Sequence, residues 1–141
     1  MANRFPKVYR KFQDLTFEAT TYATQWFMTL FCVGVPFKTV VRIWDSFFVE
    51  GLKIIYRVGL AIIRDNEKAF LKSKSFEELQ VILKMYTADV EPDRLLTIAF
   101  NIHLSRREIE VGFTLLRNTR NNFLKNDLFL HSKSTSSSPS S

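Results

Sequence analysis

An all-α fold follows from three features of this sequence. Apolar residues recur three and four apart nearly throughout the 141 residues, the spacing of amphipathic helices, and alternating β-branched runs are few. The breaks between periodic segments carry helix punctuation: Gly34 just before Pro36, then Gly51, then Ser-x-x-Glu boxes at Ser75 and Ser105. A composition of 46% hydrophobic and 24% charged residues fits one globular core. About six helices are expected.

Residues 1–16 read as a basic lead-in, 17–125 as the helical domain and 126–141 as a Ser-rich tail. The first predicted helix, 17–33, puts Ala19, Tyr22, Ala23, Trp26 and Leu30 on one stripe, which Phe27 and Phe31 widen until little of it faces water. Gly34 suits its left-handed cap, and Pro36 the first turn of the next helix, where a missing N–H costs nothing. That second helix, 36–49, is expected to bury Phe37, Val40, Val41, Trp44 and Phe48. Gly51 stops it. A third helix, 52–71, places Ile54, Ile55, Val58, Ile62 and Ile63 inward, with Gly59 pointing to a close approach by another helix. Ser75 with Glu78 caps a fourth, with Leu79, Ile82, Leu83 and Tyr86 on one face. A fifth, 92–103, buries Leu95, Ile98, Ala99 and Ile102. Ser105 with Glu108 opens a sixth that buries Ile109, Phe113 and Leu116. From His131 the tail HSKSTSSSPSS has no apolar residue, so nothing offsets its ordering entropy and disorder is expected. Ser136–Ser138 before Pro139 could accept phosphate, though such tails are usually plain spacers.

The net charge of +6 sits at the two ends. Residues 1–15 hold Arg4, Lys7, Arg10 and Lys11 against Asp14, and residues 103–125 hold Arg106, Arg107, Arg117, Arg120 and Lys125 against Glu108 and Glu110, while 16–102 is balanced. A balanced core argues against nucleic-acid binding, and basic ends are compatible with peripheral contact with an anionic membrane or an acidic partner. The longest uncharged apolar stretch, 26–37, is too short for a membrane-spanning helix, and the N-terminus lacks the layout of a secretory signal. The expected compartment is the cytoplasm, with peripheral placement on endomembranes. Cys32, the single cysteine, reads as a buried hydrophobe.

No phosphate-cradling or dinucleotide loop is present, and His103 and His131 stand far apart, so no catalytic residue, metal site or cofactor is expected. Lys53, Arg57, Arg64 and Lys68 fall within about 60° of one another at helical pitch, a basic stripe that could dock an acidic partner or solvate a surface. Arg42 and Asp45, three apart, are placed to pair on the helix surface beside an inward Trp44.

The segment 22–63 carries Tyr22, Trp26, Phe27, Phe31, Pro36, the Arg42-Ile43-Trp44-Asp45 run, Glu50 and Gly51. In this pattern it resembles the C-terminal half of a TBC domain, the helical module of Rab-type GTPase activators, and the likeness extends to about Phe113. The resemblance implies a Rab-family small GTPase as partner and a role in vesicle traffic. It also implies that the family's two catalytic motifs, I-x-x-D-x-x-R and Y-x-Q, belong to an N-terminal half that this sequence lacks. Ile62-Ile63-Arg64-Asp65-Asn66-Glu67-Lys68 imitates the first with lysine last, and Tyr22-Ala23-Thr24-Gln25 is one residue too long for the second. Lysine lacks the planar fork of an arginine finger. Three roles are compatible with this pattern: part of a Rab GTPase activator, a non-catalytic helical adaptor, or a peripheral membrane-binding protein.

Overall fold

The computed structural model describes residues 3–17 and 19–111, with 114, 117 and 121 beyond them, and the side chains at 19–22 and 24 are not among those described. The expectations for Tyr22, Phe113, Leu116 and the tail from 126 therefore lie outside the described residues. Among those described, regular structure is entirely helical: α1 (Pro6–Asp14), α2 (Ala19–Met28), α3 (Phe37–Glu50), α4 (Leu52–Asp65), α5 (Glu67–Lys72), α6 (Phe76–Ala88) and α7 (Pro92–Phe100), followed by helical residues 106–111.

The core forms around α4, whose Ile54, Ile55, Val58, Ala61 and Ile62 are fully buried against α3, α7, α2 and α5. α7 contributes Leu95 and Ala99, and α3 contributes Val40, Ile43 and a buried Thr39 whose hydroxyl donates to the Val90 carbonyl at 2.9 Å. Trp26 and Phe31 stack 5.7 Å apart at the end of α2.

Several boundaries differ from the sequence reading. The lead-in holds a helix, α1, because Val8 and Phe12 sit four apart and reach the core, Phe12 packing edge-on to Phe70 of α5 at 5.3 Å. Its basic residues hide that short stripe from a periodicity count. α2 stops at Met28, well before Gly34: Phe31 N–H bonds back to the Trp26 carbonyl and Leu30 N–H to the Phe27 carbonyl, the paired bonds of a Schellman cap, with Leu30 and not glycine in the left-handed conformation. α1 ends in the same way, with Thr16 at φ 53°. The expected 52–71 helix breaks at Asn66, whose side-chain amide donates to the Ile62 carbonyl at 2.8 Å and competes for the helical ladder. Gly59 has no close neighbour, since an added Cβ would meet nothing within 4 Å. Cys32 is exposed, not buried.

α3 departs furthest. It buries Thr39, Val40 and Ile43 and half-buries Trp44 and Phe47, which leaves Phe37 at 82%, Phe48 at 76% and Val41 at 40% exposed. The helix carries two apolar stripes, and the fold uses the other one. The Ser105–Glu108 box forms as expected, each residue's backbone N–H bonding the other's side chain. At Ser75 the reach is one residue longer, Glu78 accepting from the Lys74 N–H at 2.7 Å.

Candidate functional site

The basic stripe is not continuous. Arg64 and Lys68 are exposed and Lys53 is half-buried, but Arg57 is 7% exposed and turned inward. Its Nε donates to the Ile102 carbonyl at 2.9 Å and its Nη1 to Glu50 at 2.5 Å, so it ties the end of α3 and the exit of α7 to α4. Helical-wheel arithmetic assumes one buried side, whereas α4 is packed by neighbours on several, and a long guanidinium stem is easily covered at such a centre. The stripe also loses its straight axis at Asn66, which puts Lys68 on α5.

Of the Arg42-Ile43-Trp44-Asp45 run, Arg42 and Asp45 are exposed on the outer side of α3, while Ile43 is fully buried. Arg42 pairs with Asp93 of α7 at 3.3 Å instead of with Asp45, and both side chains are exposed. Pro36 is the residue capping α3, and Gly51, at φ 67° and ψ −156°, makes the turn into α4 in a conformation open essentially to glycine alone. Trp44 is half-buried, and its indole N–H donates to the Leu30 carbonyl at 3.1 Å. That bond holds the left-handed end of α2 against α3. Beside it lies an open apolar groove of about 390 Å³ lined by Cys32, Phe37, Val41, Trp44, Asp45 and Phe48.

Of the two stretches that imitate catalytic motifs, the first has its aspartate engaged in ties between helices. Asp65 accepts from Arg94 Nη2 at 2.8 Å and from the Tyr86 hydroxyl at 2.8 Å, and the Arg94 bond leads in holding its carboxyl below the ordinary value. Burial, with the Asp65 carboxylate alongside, pushes the Tyr86 phenol up. Lys68 and Gln25 are exposed on separate helices, α5 and α2. Among the described residues no group of histidine, cysteine and carboxylate side chains is placed to hold a metal, and no helix is long and apolar enough to cross a membrane.

Among the ties that sequence reasoning missed, two differ in how readable they were. Glu50–Arg57 spans the Gly51 turn, and a carboxylate seven residues before an arginine around that glycine was a usable signal. Arg4, whose Nε lies 2.6 Å from Glu108 and whose Nη2 also reaches the His103 carbonyl, joins residues 104 positions apart, for which no local signal exists.

The described geometry can be set beside known proteins. The family model described as "Rab-GTPase-TBC domain" matches residues 1–71. The human "Ecotropic viral integration site 5 protein homolog" is 31% identical over 107 residues, 74% of this chain and 13% of that protein. Mouse "Carabin" is 41% identical over 64 residues, 45% of this chain and 14% of that protein. The "Rab GTPase-activating protein eat-17" of Caenorhabditis elegans is 27% identical over 114 residues, 77% of this chain and 12% of that protein. The chain thus spans only about an eighth of the length of these relatives.

Proposed function

This chain belongs to the Rab-GTPase-TBC domain family, and on that premise we propose that it serves as the C-terminal part of a Rab GTPase-activating module, docking a Rab-type GTPase without itself supplying the catalytic side chains. The observation that carries this reading is the outward face of α3. Phe37 and Phe48, 82% and 76% exposed beside an apolar groove, form a surface suited to cover by further protein. The N-terminal part of a TBC module is the proposed cover. Such an arrangement leaves α4 and α7 as a buttress, tied by Arg57, for catalytic residues contributed by that other part.

Neither I-x-x-D-x-x-R nor Y-x-Q occurs in the sequence, and the imitating Asp65 is engaged by Arg94 and Tyr86. GTPase contact is assigned to the exposed Arg64 and Lys68 with Lys53, while Arg57, named with them from sequence, is proposed to act by positioning them. The site of action is the cytoplasmic surface of endomembranes, where Rab GTPases work in vesicle traffic.

The test is single-turnover GTP hydrolysis across a panel of Rab GTPases. The chain alone is expected to leave the rate unchanged, and fusion to an N-terminal TBC segment from a relative to raise it by about 10³–10⁵, the worth of a supplied arginine finger. Stimulation by the chain alone, lost in Lys68→Ala or Gln25→Ala, would overturn the assignment. Rab binding with no gain on fusion would make the chain a non-catalytic adaptor.

A further inference from the structure

The strongest charge imbalance in this chain is assembled by the fold from three separated segments. Residues 3–14, 67–74 and 103–111 hold nine basic and four acidic residues, a net +5 of the chain's +6. α1 supplies Lys7 and Arg10, both exposed, on the side away from its buried Val8 and Phe12, with a half-buried Lys11 at the flank. α5, which meets α1 through Phe70 against Phe12, adds Lys68 and Lys72, both exposed, close to that helix. The third segment is fastened alongside by Arg4, which bonds Glu108 through both Nε and Nη2 at 2.6 and 2.9 Å and brings Arg106 and Arg107 to the start of α1. The same bonds occupy the Glu108 carboxylate, which also accepts from Ser105 and so does little to offset the neighbouring cations. Among the described residues, Lys7, Arg10, Lys11, Lys72, Arg106 and Arg107 make no ion pair. Asp14, Glu67 and Glu110 are the acidic residues left within the three segments.

We propose that this composite face, centred on α1, adsorbs the chain to an anionic lipid bilayer. A protein partner would call for an apolar centre with anchoring aromatic side chains. Here the most exposed aromatics, Phe37 and Phe48, are on α3, whereas Tyr9 of α1, Leu71 of α5 and Phe76, which packs on Phe17 just beyond α1, are each about three-fifths covered. What α1 offers is a convex helix of long flexible cations. A negatively charged bilayer needs no more than that, because its potential acts on every cation within a Debye length, without a shaped pocket. Adsorption through α1 would add to any recruitment through a GTPase and does not depend on it.

The experiment is co-sedimentation of the full chain, with no GTPase present, with phosphatidylcholine vesicles with and without about 30% phosphatidylserine, at about 0.1 and 0.5 M salt. Binding is expected to anionic vesicles only and to fall with salt. K7Q/R10Q and, independently, R106Q/R107Q are each expected to cut partition by about 25-fold, roughly fivefold per cation. K38Q/K84Q, on α3 and α6, should retain it. Lys7, Arg10, Arg106 and Arg107 are exposed, so circular-dichroism melts of these variants should match the parent, and either pair decides the matter if the other misfolds. Equal binding to neutral vesicles, or full binding by both pairs of variants, overturns the proposal. Failure to bind vesicles while polyglutamate is bound through Lys7 and Arg10 overturns it in favour of an acidic protein. With no GTPase in the assay, none of these results bears on docking to a Rab.

Discussion

Single side chains in this protein matter most where they hold chain ends. Trp44 reads from sequence as core filler, but its distinctive contribution is the indole N–H given to the Leu30 carbonyl. Leu30 and Phe31 both sit in the left-handed region, which non-glycine residues leave unless surroundings hold them. Trp44→Phe keeps most of the ring and removes the donor, so a loss of about 1–2 kcal/mol is expected in urea unfolding, from the missing hydrogen bond and the smaller ring. A loss under a few tenths would separate Trp44 from the α2 cap. Arg4 and Glu108 offer a pH signature. The Arg4 guanidinium, aided by the Ser105 amide, holds the Glu108 carboxyl down to about 2. A depressed carboxylate contributes stability above its unfolded value near 4.5 and gives it up as pH falls toward its folded value. Melting temperature should therefore decline between about pH 4.5 and 2 more steeply in the parent than in Glu108→Gln. Parallel curves would mean that the pair is too well solvated to count.

At the scale of elements, the existence of most helices and the inward sides of α4, α6 and α7 were readable, while the orientation of α3 was not. The i, i+3, i+4 pattern identifies α2, α3, α4, α6 and α7 because burying one stripe is the main stabiliser of a short helix. On α3 the pattern is degenerate. Phe37, Val41 and Phe48 lie along one apolar line and Val40, Ile43 and Phe47 along another, so periodicity cannot say which one meets α4. α1 escaped notice since only Val8 and Phe12 mark its inner side. Gly59 misled in the other direction, its cost being borne with no close helix contact to justify it. Gly59→Ala is accordingly expected to stabilise the protein by about 1 kcal/mol, the helix-propensity difference, raising the melting midpoint by roughly 3 °C. Destabilisation would show that another backbone does approach α4 at that turn.

At the scale of the molecule, the exposed α3 face should drive self-association of the isolated chain, because contiguous apolar surface with no cover seeks cover. Sedimentation velocity is expected to show concentration-dependent oligomers that Phe37→Ser/Phe48→Ser reduces, with stability changed by no more than about 0.5 kcal/mol since both side chains are exposed. A well-behaved parent monomer would weigh against the covered-face reading and for the adaptor. The sequence by itself determined the helical class, the Ser105 capping box, the Ser75 N-cap and membership of the TBC family, since each of these is written in local spacing: a 3.6-residue period, a Ser three residues before a Glu, a Trp44 run at a fixed distance from Gly51. Tertiary structure alone decided that Arg57 turns inward to Glu50 and Ile102, that α3 shows Phe37 and Phe48 to solvent, and that Arg4 reaches Glu108 to tie the residues before α1 to helical residues 106–111. Those outcomes depend on which neighbours surround a helix, and contacts between residues 45 or 104 positions apart leave no mark on the local pattern that encodes each helix.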